Sequence, residues 1–287
     1  MTTTRSLRQH DYTVAWICTL PLEMATAKGM LDEIHSNLPT SSNDQNTYVL
    51  GRIYTHNVAI ACLPSGVCST TSAATVANQM LFTFRSIRFG LMVGIGGGVP
   101  NKEADIRLGD VVVSEPTGDF GGVVQYDFGK TVGQGVFERT GRLNRPPQVL
   151  LTAIARLQAD QLMEPSQIPE FLSEMVARYP RMRAEFTYRG QEEDRLFDVA
   201  SDHYGLENNC DTCEMSRLVT RPDRDRHDPL IYYGLIASGN QVIKHGGTRD
   251  KLGQELGILC FEMEAAGLMD NFPCLVIRGI CDYADSH

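Results

Sequence analysis

The chain has 287 residues and a formal net charge of −9, with 42% hydrophobic and 21% charged residues. This composition is typical of a globular protein, excludes a disordered chain and suffices for a sizeable core. The acidic balance without a basic stripe argues against nucleic acid or anionic membranes as partners. No apolar run approaches the roughly 20 residues that span a bilayer, and the N-terminus lacks a signal-peptide core, so we predict an intracellular, cytoplasmic protein.

Short apolar, β-branched segments alternate with helical patterns along the chain. Strands are predicted at residues 12–18, 47–54, 57–63, 89–93, 110–114, 230–237, 257–261 and 274–280, and helices from residue 21 and at 69–84, 147–160, 250–256 and 264–271. This order predicts a single three-layer α/β domain, with a central mixed, largely parallel sheet flanked by helices. Residues 164–228 are polar and weakly periodic, so we predict a partly helical surface insertion there.

A cluster of glycines at residues 94–98 follows the strand predicted at 89–93. A dinucleotide-binding fingerprint would need a third glycine at the position of Val99, so this pattern does not match that function. We instead predict a glycine turn in which the backbone N–H groups of Gly96 and Gly97 approach a ligand closely.

Acidic residues follow three of the predicted strands. Glu23 comes shortly after the first strand, Glu262 and Glu264 flank the end of another, and Asp282 follows the last. Helix starts favour acids such as Glu262 and Glu264, and an N-cap or turn would explain Asp282. Because ligands of α/β sheets bind at the carboxyl ends of strands, we expect these acids to converge on one cleft.

Cys210 and Cys213 form a Cys-x-x-Cys pair, and His203 lies seven residues before it. A structural zinc site normally has four ligands, and the sequence holds no second Cys-x-x-Cys. The sequence therefore favours no metal at this position. Most of the other cysteines lie in apolar segments and are predicted to be buried thiols.

Two segments resemble the hallmark segments of the nucleoside phosphorylase superfamily. They are residues 263–266 (Met-Glu-Ala-Ala) and 278–285 (Arg-Gly-Ile-Cys-Asp-Tyr-Ala-Asp). The superfamily's order is also matched by residues 14–23, 65–67, 94–99 and 238–243. The resemblance is to the purine nucleoside and uridine phosphorylases and to the methylthioadenosine/S-adenosylhomocysteine nucleosidases, and it covers nearly all of the chain outside the insertion.

The likeness is greatest to the fungal branch of the superfamily, whose domains are often joined to repeat or NTPase domains. In that branch a final helix follows the last strand, so the chain is expected to be part of a longer protein. The resemblance also implies a homo-oligomer, with a dimer as the expected state, and a purine nucleoside as the substrate.

The resemblance implies a role for each matching residue. Glu264, after Met263, would bind the ribose hydroxyls, and Asp282 would protonate N7 of the leaving purine. Glu23 would activate the attacking water. The base pocket would be lined by the segment that contains Asn240, Gln241, Val242 and Ile243.

Two further residues are assigned supporting roles. Arg278 would orient a neighbouring acid, or would serve the structure alone. Glu262, two residues before Glu264, would be the other supporting residue.

The nucleophile decides the class of enzyme. In the phosphorylases an arginine commonly lies on the strand before the glycine turn, and Met92 occupies the matching position here. Glu23 would also repel a phosphate dianion, so hydrolysis without a cofactor is favoured. Ile95 stands where nucleosidases usually carry a small polar residue, which is a departure from their pattern.

Two alternatives remain at the level of sequence. Arg85 and Arg88 lie just upstream of the glycines, so a phosphorylase with phosphate as co-substrate stays open. A weakly catalytic nucleoside-sensing module of a larger protein is the other alternative, although a sensor does not need an acid at Asp282. The choice among adenosine, inosine and 5′-thio nucleosides also stays open.

Overall fold

A computed structural model describes residues 7–187, 190–203, 210, 213–224 and 228–287. Its strands are β1 (Val14–Cys18), β2 (Glu33–Ile34), β3 (Tyr48–Ile53), β4 (His56–Cys62), β5 (Phe89–Gly98), β6 (Val111–Ser114), β7 (Val123–Gln125), β8 (Gly129–Thr131), β9 (Phe137–Arg139), β10 (Ile231–Ser238), β11 (Ile258–Glu262) and β12 (Cys274–Asp282). Its helices are α1 (Pro21–Gly29), α2 (Thr70–Thr83), α3 (Gln148–Met163), α4 (Ile168–Arg178), α5 (Arg183–Phe186) and α6 (Gly246–Leu256). None of the described helices combines the length and apolar character that crossing a membrane requires.

Within these described ranges, ten strands form one mixed sheet. Their order is β11-β10-β6-β12-β5-β1-β4-β3-β2, and β7 pairs with β10. β5 is central and runs parallel to both β1 and β12, whereas β6 runs antiparallel to β12. The far end of β5 also pairs with β11 in the antiparallel sense, so the sheet curls and brings the end of β11 beside β5.

Helices cover both faces of this sheet because successive side chains of a strand point to opposite sides. On β1, Ala15 and Ile17 belong to the core that contains α2, whereas Val14 and Cys18 belong to the core that contains α1. Leu150 of α3 packs with side chains of β6 and β12 outside the α2 core. The predicted three-layer α/β fold with a mixed, largely parallel sheet is therefore confirmed.

The glycine segment differs from its prediction. β5 continues from Phe89 to Gly98, and its glycines do not have positive φ angles. β12 pairs with β5 from Cys274, opposite Gly90, to Asp282, opposite Gly97. The predicted glycine turn is wrong, because hydrogen bonding to β12 keeps this part of the backbone extended.

The helix predicted at residues 264–271 is also wrong. Only a short 3₁₀ turn forms there, over Ala265–Gly267. The Glu262 carboxylate and the Ser238 hydroxyl accept hydrogen bonds from the first backbone N–H groups of this segment. A Cβ on Gly267 would lie 1.9 Å from the carbonyl oxygen of Thr70, so the segment packs directly against the start of α2. These tertiary contacts replace the regular helix.

The segment at 164–228 is partly helical, with α4 and α5, but it is more than a surface feature. Phe197 is 1% exposed and therefore lies within a core. Arg224 of this segment forms an ion pair with Asp110, outside the segment, at 2.7 Å. Arg221 pairs with Asp194, within the segment, also at 2.7 Å. Because the Arg224–Asp110 pair is largely shielded from water, it attaches the segment to the start of β6.

Candidate active site

The carboxyl ends of β1, β5, β11 and β12 surround a cavity of about 270 Å³. The predicted site residues that line it are Glu23, Gly96, Gly97, Gln241, Val242, Ile243, Glu262, Met263, Glu264, Arg278 and Asp282. The acids that follow three strands thus meet at one cavity. Asn240 does not line the cavity: its Oδ1 accepts hydrogen bonds from the N–H and hydroxyl of Thr70, at 3.2 and 3.1 Å, and so joins the end of β10 to α2.

Glu23 lies in the first turn of α1 and is 7% exposed. Its Oε2 accepts hydrogen bonds from the N–H groups of Thr19 and Leu20, at 2.6 and 3.0 Å, and its Oε1 accepts one from Ile95 at 2.9 Å. A carboxylate has about four acceptor positions. Three backbone donors therefore fix its orientation and leave about one position for another donor, so Glu23 has the geometry of an oriented base.

Arg278, on β12, is 1% exposed and lies between two buried acids. Its guanidinium forms a close ion pair with Glu262 and lies 3.4 Å from Oε2 of Glu264. Arg278 also donates a hydrogen bond to the carbonyl of Ile95 at 3.3 Å. One cation thus holds both carboxylates, and the cluster carries a net negative charge when both acids are ionised.

Glu264 is 3% exposed and shares Arg278 with Glu262. Burial and the neighbouring Glu262 carboxylate raise the pKa of Glu264 to about 7, against the opposing effect of Arg278. Both forms of the side chain are therefore populated near neutral pH. Only the ionised form can accept hydrogen bonds from two hydroxyl groups at once with full strength.

Asp282 ends β12 and is exposed, although Ile280 and Ala284 are buried. Its Oδ1 accepts a hydrogen bond from the N–H of Ala284 at 2.8 Å, and its Oδ2 accepts one from the Cys281 thiol at 3.1 Å. The two buried neighbours thus do not enclose the side chain of Asp282. The register of β12 against β5 shifts between Ile280 and Asp282, and such a bulge redirects the side chain that follows it.

Two glycines of β5 make room for the charged groups. A Cβ on Gly94 would lie 2.5 Å from both Oε1 of Glu23 and Nη1 of Arg278. A Cβ on Gly97 would lie 2.7 Å from Oδ1 of Asp282. The glycines are therefore required because side chains from α1 and β12 lie directly on the β5 backbone.

The side of the cavity assigned to the base is formed by the segment after β10. Gln241 and Ile243 line it, and Val242 is 62% exposed. The Tyr126 hydroxyl donates a hydrogen bond to the carbonyl of Gln241 at 2.8 Å, which fixes the path of this segment.

Several cavity residues were missed in the sequence. They are Thr19, Leu20, Cys68, Ile95, Phe261, Cys281 and Ala284. Most of them adjoin motif residues, so proximity in the chain was an available signal. Cys68 had only the neighbouring segment 65–67 as a signal, because a single cysteine in a loop indicates nothing by itself.

Arg85 and Arg88 are exposed and lie at the opposite end of β5 from the cavity. Arg88 precedes Gly94 by six residues, and strands rise by about 3.3 Å per residue, so the separation is about 20 Å. The prediction that these arginines can reach the site is wrong. Of the described residues that line the cavity, Arg278 alone is an arginine or lysine, and it is paired with two acids.

The fold and the position of the cavity define a nucleoside phosphorylase-like α/β protein. A solved structure of the 5′-methylthioadenosine/S-adenosylhomocysteine nucleosidase from Neisseria meningitidis, in complex with methylthio-immucillin-A, matches it with a TM-score of 0.58 at 15% identity, over 96% of this chain and 87% of that one. The resemblance predicted from the motifs is thus confirmed, and the chain has the fold of these nucleosidases. No family model matches the chain.

Two curated relatives extend the comparison. The 5′-methylthioadenosine/S-adenosylhomocysteine nucleosidase of Mycobacterium bovis is 26% identical over 280 residues, which cover 95% of this chain and 86% of the relative. A nucleotide-binding leucine-rich repeat (NLR)-like protein of Hyaloscypha variabilis is 46% identical over 283 residues, or 98% of this chain. The chain spans 28% of the length of that fungal protein.

Proposed function

We propose that the chain hydrolyses the N-ribosidic bond of purine nucleosides and releases the free base and ribose. The observation that carries this proposal is the arrangement of Glu23, Glu264 and Asp282 around one cavity. The likeness to nucleosidases supports it further.

Each acid has a distinct task in this reaction. Glu23 takes a proton from water as the water oxygen bonds to the sugar carbon, and Asp282 gives a proton to N7 as the carbon–nitrogen bond breaks. Glu264 binds the ribose hydroxyls, and its negative charge favours the positive charge that develops on the sugar. Arg278 keeps Glu264 in position.

The charges of this cavity accept water as the nucleophile more readily than phosphate. A phosphate dianion beside the carboxylates of Glu23 and Glu264 would be repelled, and Arg278 is already shared by two acids. Arg85 and Arg88 are too distant to compensate. These charges favour hydrolysis over phosphorolysis.

Base release from adenosine, inosine and methylthioadenosine, followed by chromatography with and without phosphate, tests the proposal. Hydrolysis predicts free base and free ribose, or methylthioribose, in phosphate-free buffer. Ribose 1-phosphate that forms only when phosphate is added would overturn hydrolysis and establish a phosphorylase.

A nucleoside-sensing module is the second candidate function. It is supported by the likeness to the NLR-like protein of Hyaloscypha variabilis, of which the chain spans 28%. A sensor predicts tight nucleoside binding by calorimetry with no base release in the same samples, whereas the hydrolase predicts turnover.

Replacing Asp282 with asparagine is expected to lower kcat for purine nucleosides by about 10²–10⁴-fold, because the amide cannot protonate N7. A p-nitrophenyl riboside needs no such proton, so its hydrolysis should be largely preserved. Asp119→Asn, at an exposed carboxylate outside the cavity, is the matched control. Equal losses on both substrates would contradict the role of proton donor.

The pH dependence of kcat/KM and of nucleoside affinity should follow the ionisation of Glu264. Its pKa of about 7 means that the ionised, ribose-binding form falls about tenfold per pH unit below that value. We therefore expect kcat/KM, which reports the free protein, to fall on the acid side of pH 7. The affinity for a non-cleavable nucleoside should fall in parallel, and Glu264→Gln should remove this dependence. A flat binding profile from pH 7 to pH 5 would contradict the assignment.

A further inference from the structure

A cluster of cysteine and histidine side chains lies outside the cavity. His203, Cys210, Cys213 and His287 each present one possible ligand atom, and these atoms all lie within 4.8 Å of one another. His287 is 74 residues from Cys213 in the sequence, so the motif search could not associate them. The fold thus supplies the fourth ligand whose apparent absence had argued against a metal.

The spacing of these atoms suits a tetrahedral zinc ion. Zinc binds thiolate sulfur at about 2.3 Å and imidazole nitrogen at about 2.0–2.1 Å, which makes neighbouring ligand atoms about 3.3–3.8 Å apart. Sγ of Cys213 lies 3.1 Å from Nδ1 of His203 and 3.4 Å from Nδ1 of His287. Sγ of Cys210 lies 3.8 Å from Nδ1 of His287. Small adjustments would bring all of them to ideal distances.

His287 is already oriented for ligation. Its Nε2 lies 2.8 Å from the carbonyl oxygen of Ser201, which can only accept, so Nε2 carries the proton and the lone pair of Nδ1 faces the thiols. Its ring also stacks on Phe197, with ring centroids 3.9 Å apart. A second hydrogen bond of this kind on a ligating histidine is the usual companion of a zinc site.

Both cysteines are free thiols, so neither is held in a disulfide and both are available as ligands. A divalent cation would displace the thiol protons and make both sulfurs strong ligands.

We propose that His203, Cys210, Cys213 and His287 bind one structural zinc ion. Four protein ligands close the coordination sphere, as in structural rather than catalytic zinc sites. Three of the ligands belong to the segment at 164–228, and His287 lies five residues after Asp282. The ion would therefore fasten this segment to the end of β12 and steady the backbone that carries Asp282.

Zinc content of the purified 287-residue chain tests the proposal. After desalting without chelator, elemental analysis should find about one zinc per chain. Cys210→Ser, Cys213→Ser and His287→Ala should each lose most of it. Cys62→Ser and His56→Ala, which change the same residue types outside the cluster, should retain it.

Cobalt substitution provides a readout that does not depend on the folding of the variants. The wild-type chain, stripped of zinc and titrated with Co²⁺, should develop the visible absorption of a tetrahedral thiolate site, and zinc should displace it. No zinc on purification together with no cobalt spectrum would overturn the proposal, as would a Cys210–Cys213 disulfide in the freshly purified protein. Neither zinc content nor cobalt absorption depends on base release, so both test the zinc site independently of the proposed nucleosidase activity.

Discussion

The Glu23→Gln protein is expected to release base from its nucleoside about 10²–10⁴ times more slowly than the wild-type chain in phosphate-free buffer. Glutamine has nearly the same shape but cannot take a proton from water. The loss should appear in kcat, with little change in KM, because in the proposed mechanism Glu23 acts on the nucleophile rather than on the bound nucleoside. Steady-state kinetics with chromatographic detection of the base measures it.

Controls separate this effect from a change in structure. The Glu23 carboxylate accepts hydrogen bonds from Thr19, Leu20 and Ile95, so the thermal unfolding of the variant should be compared with that of the wild type. Glu103→Gln, at an exposed position outside the cavity, should retain the full rate. A Glu23→Gln protein that turns over at the wild-type rate would show that another group activates water.

The second large effect concerns stability. Replacing Arg278 with methionine is expected to lower the free energy of unfolding by about 3–5 kcal/mol, because Glu262 and Glu264 would remain buried with no cation between them. Urea denaturation of the variant and of the wild type at pH 8 measures the difference in the free energy of unfolding.

An exposed ion pair provides the matched control. Arg52 lies 3.2 Å from Glu33, and both side chains are about half exposed. Arg52→Met should therefore cost only about 0–1 kcal/mol. Adding Glu262→Gln to Arg278→Met should recover part of the loss, since it removes one of the unpaired charges. A loss below about 1 kcal/mol in the single variant would mean that water or a rearrangement replaces the guanidinium.

Much of the fold was accessible from local pattern. β1, β3, β4, β6, β10, β11 and β12 were predicted within a few residues, because a buried strand is a short apolar run between turn residues. Ser69 likewise marked the start of α2, where its hydroxyl accepts a hydrogen bond from Ser72. The turn at residues 94–98 and the helix at 264–271 were wrong because contacts with other elements determine both conformations.

The candidate site, like the fold, was predictable from the sequence only in part. Acids that follow strands indicated a cleft, since the edge of a sheet collects the ends of its strands. The exposure of Asp282 could not be predicted, because it depends on a register shift between β12 and β5. The distance of Arg88 from the cavity depended on β5 continuing as a strand rather than turning back.

Apolar runs and acids after strands are local properties, so the amino-acid order was enough to predict the α/β class and the meeting of Glu23, Glu264 and Asp282 at one cavity. Arg278 shared by two carboxylates and His287 beside Cys213 are long-range contacts. These contacts depend on the tertiary structure alone. Folding closes long loops and buries charged groups together, and no local pattern in the sequence links residues that far apart.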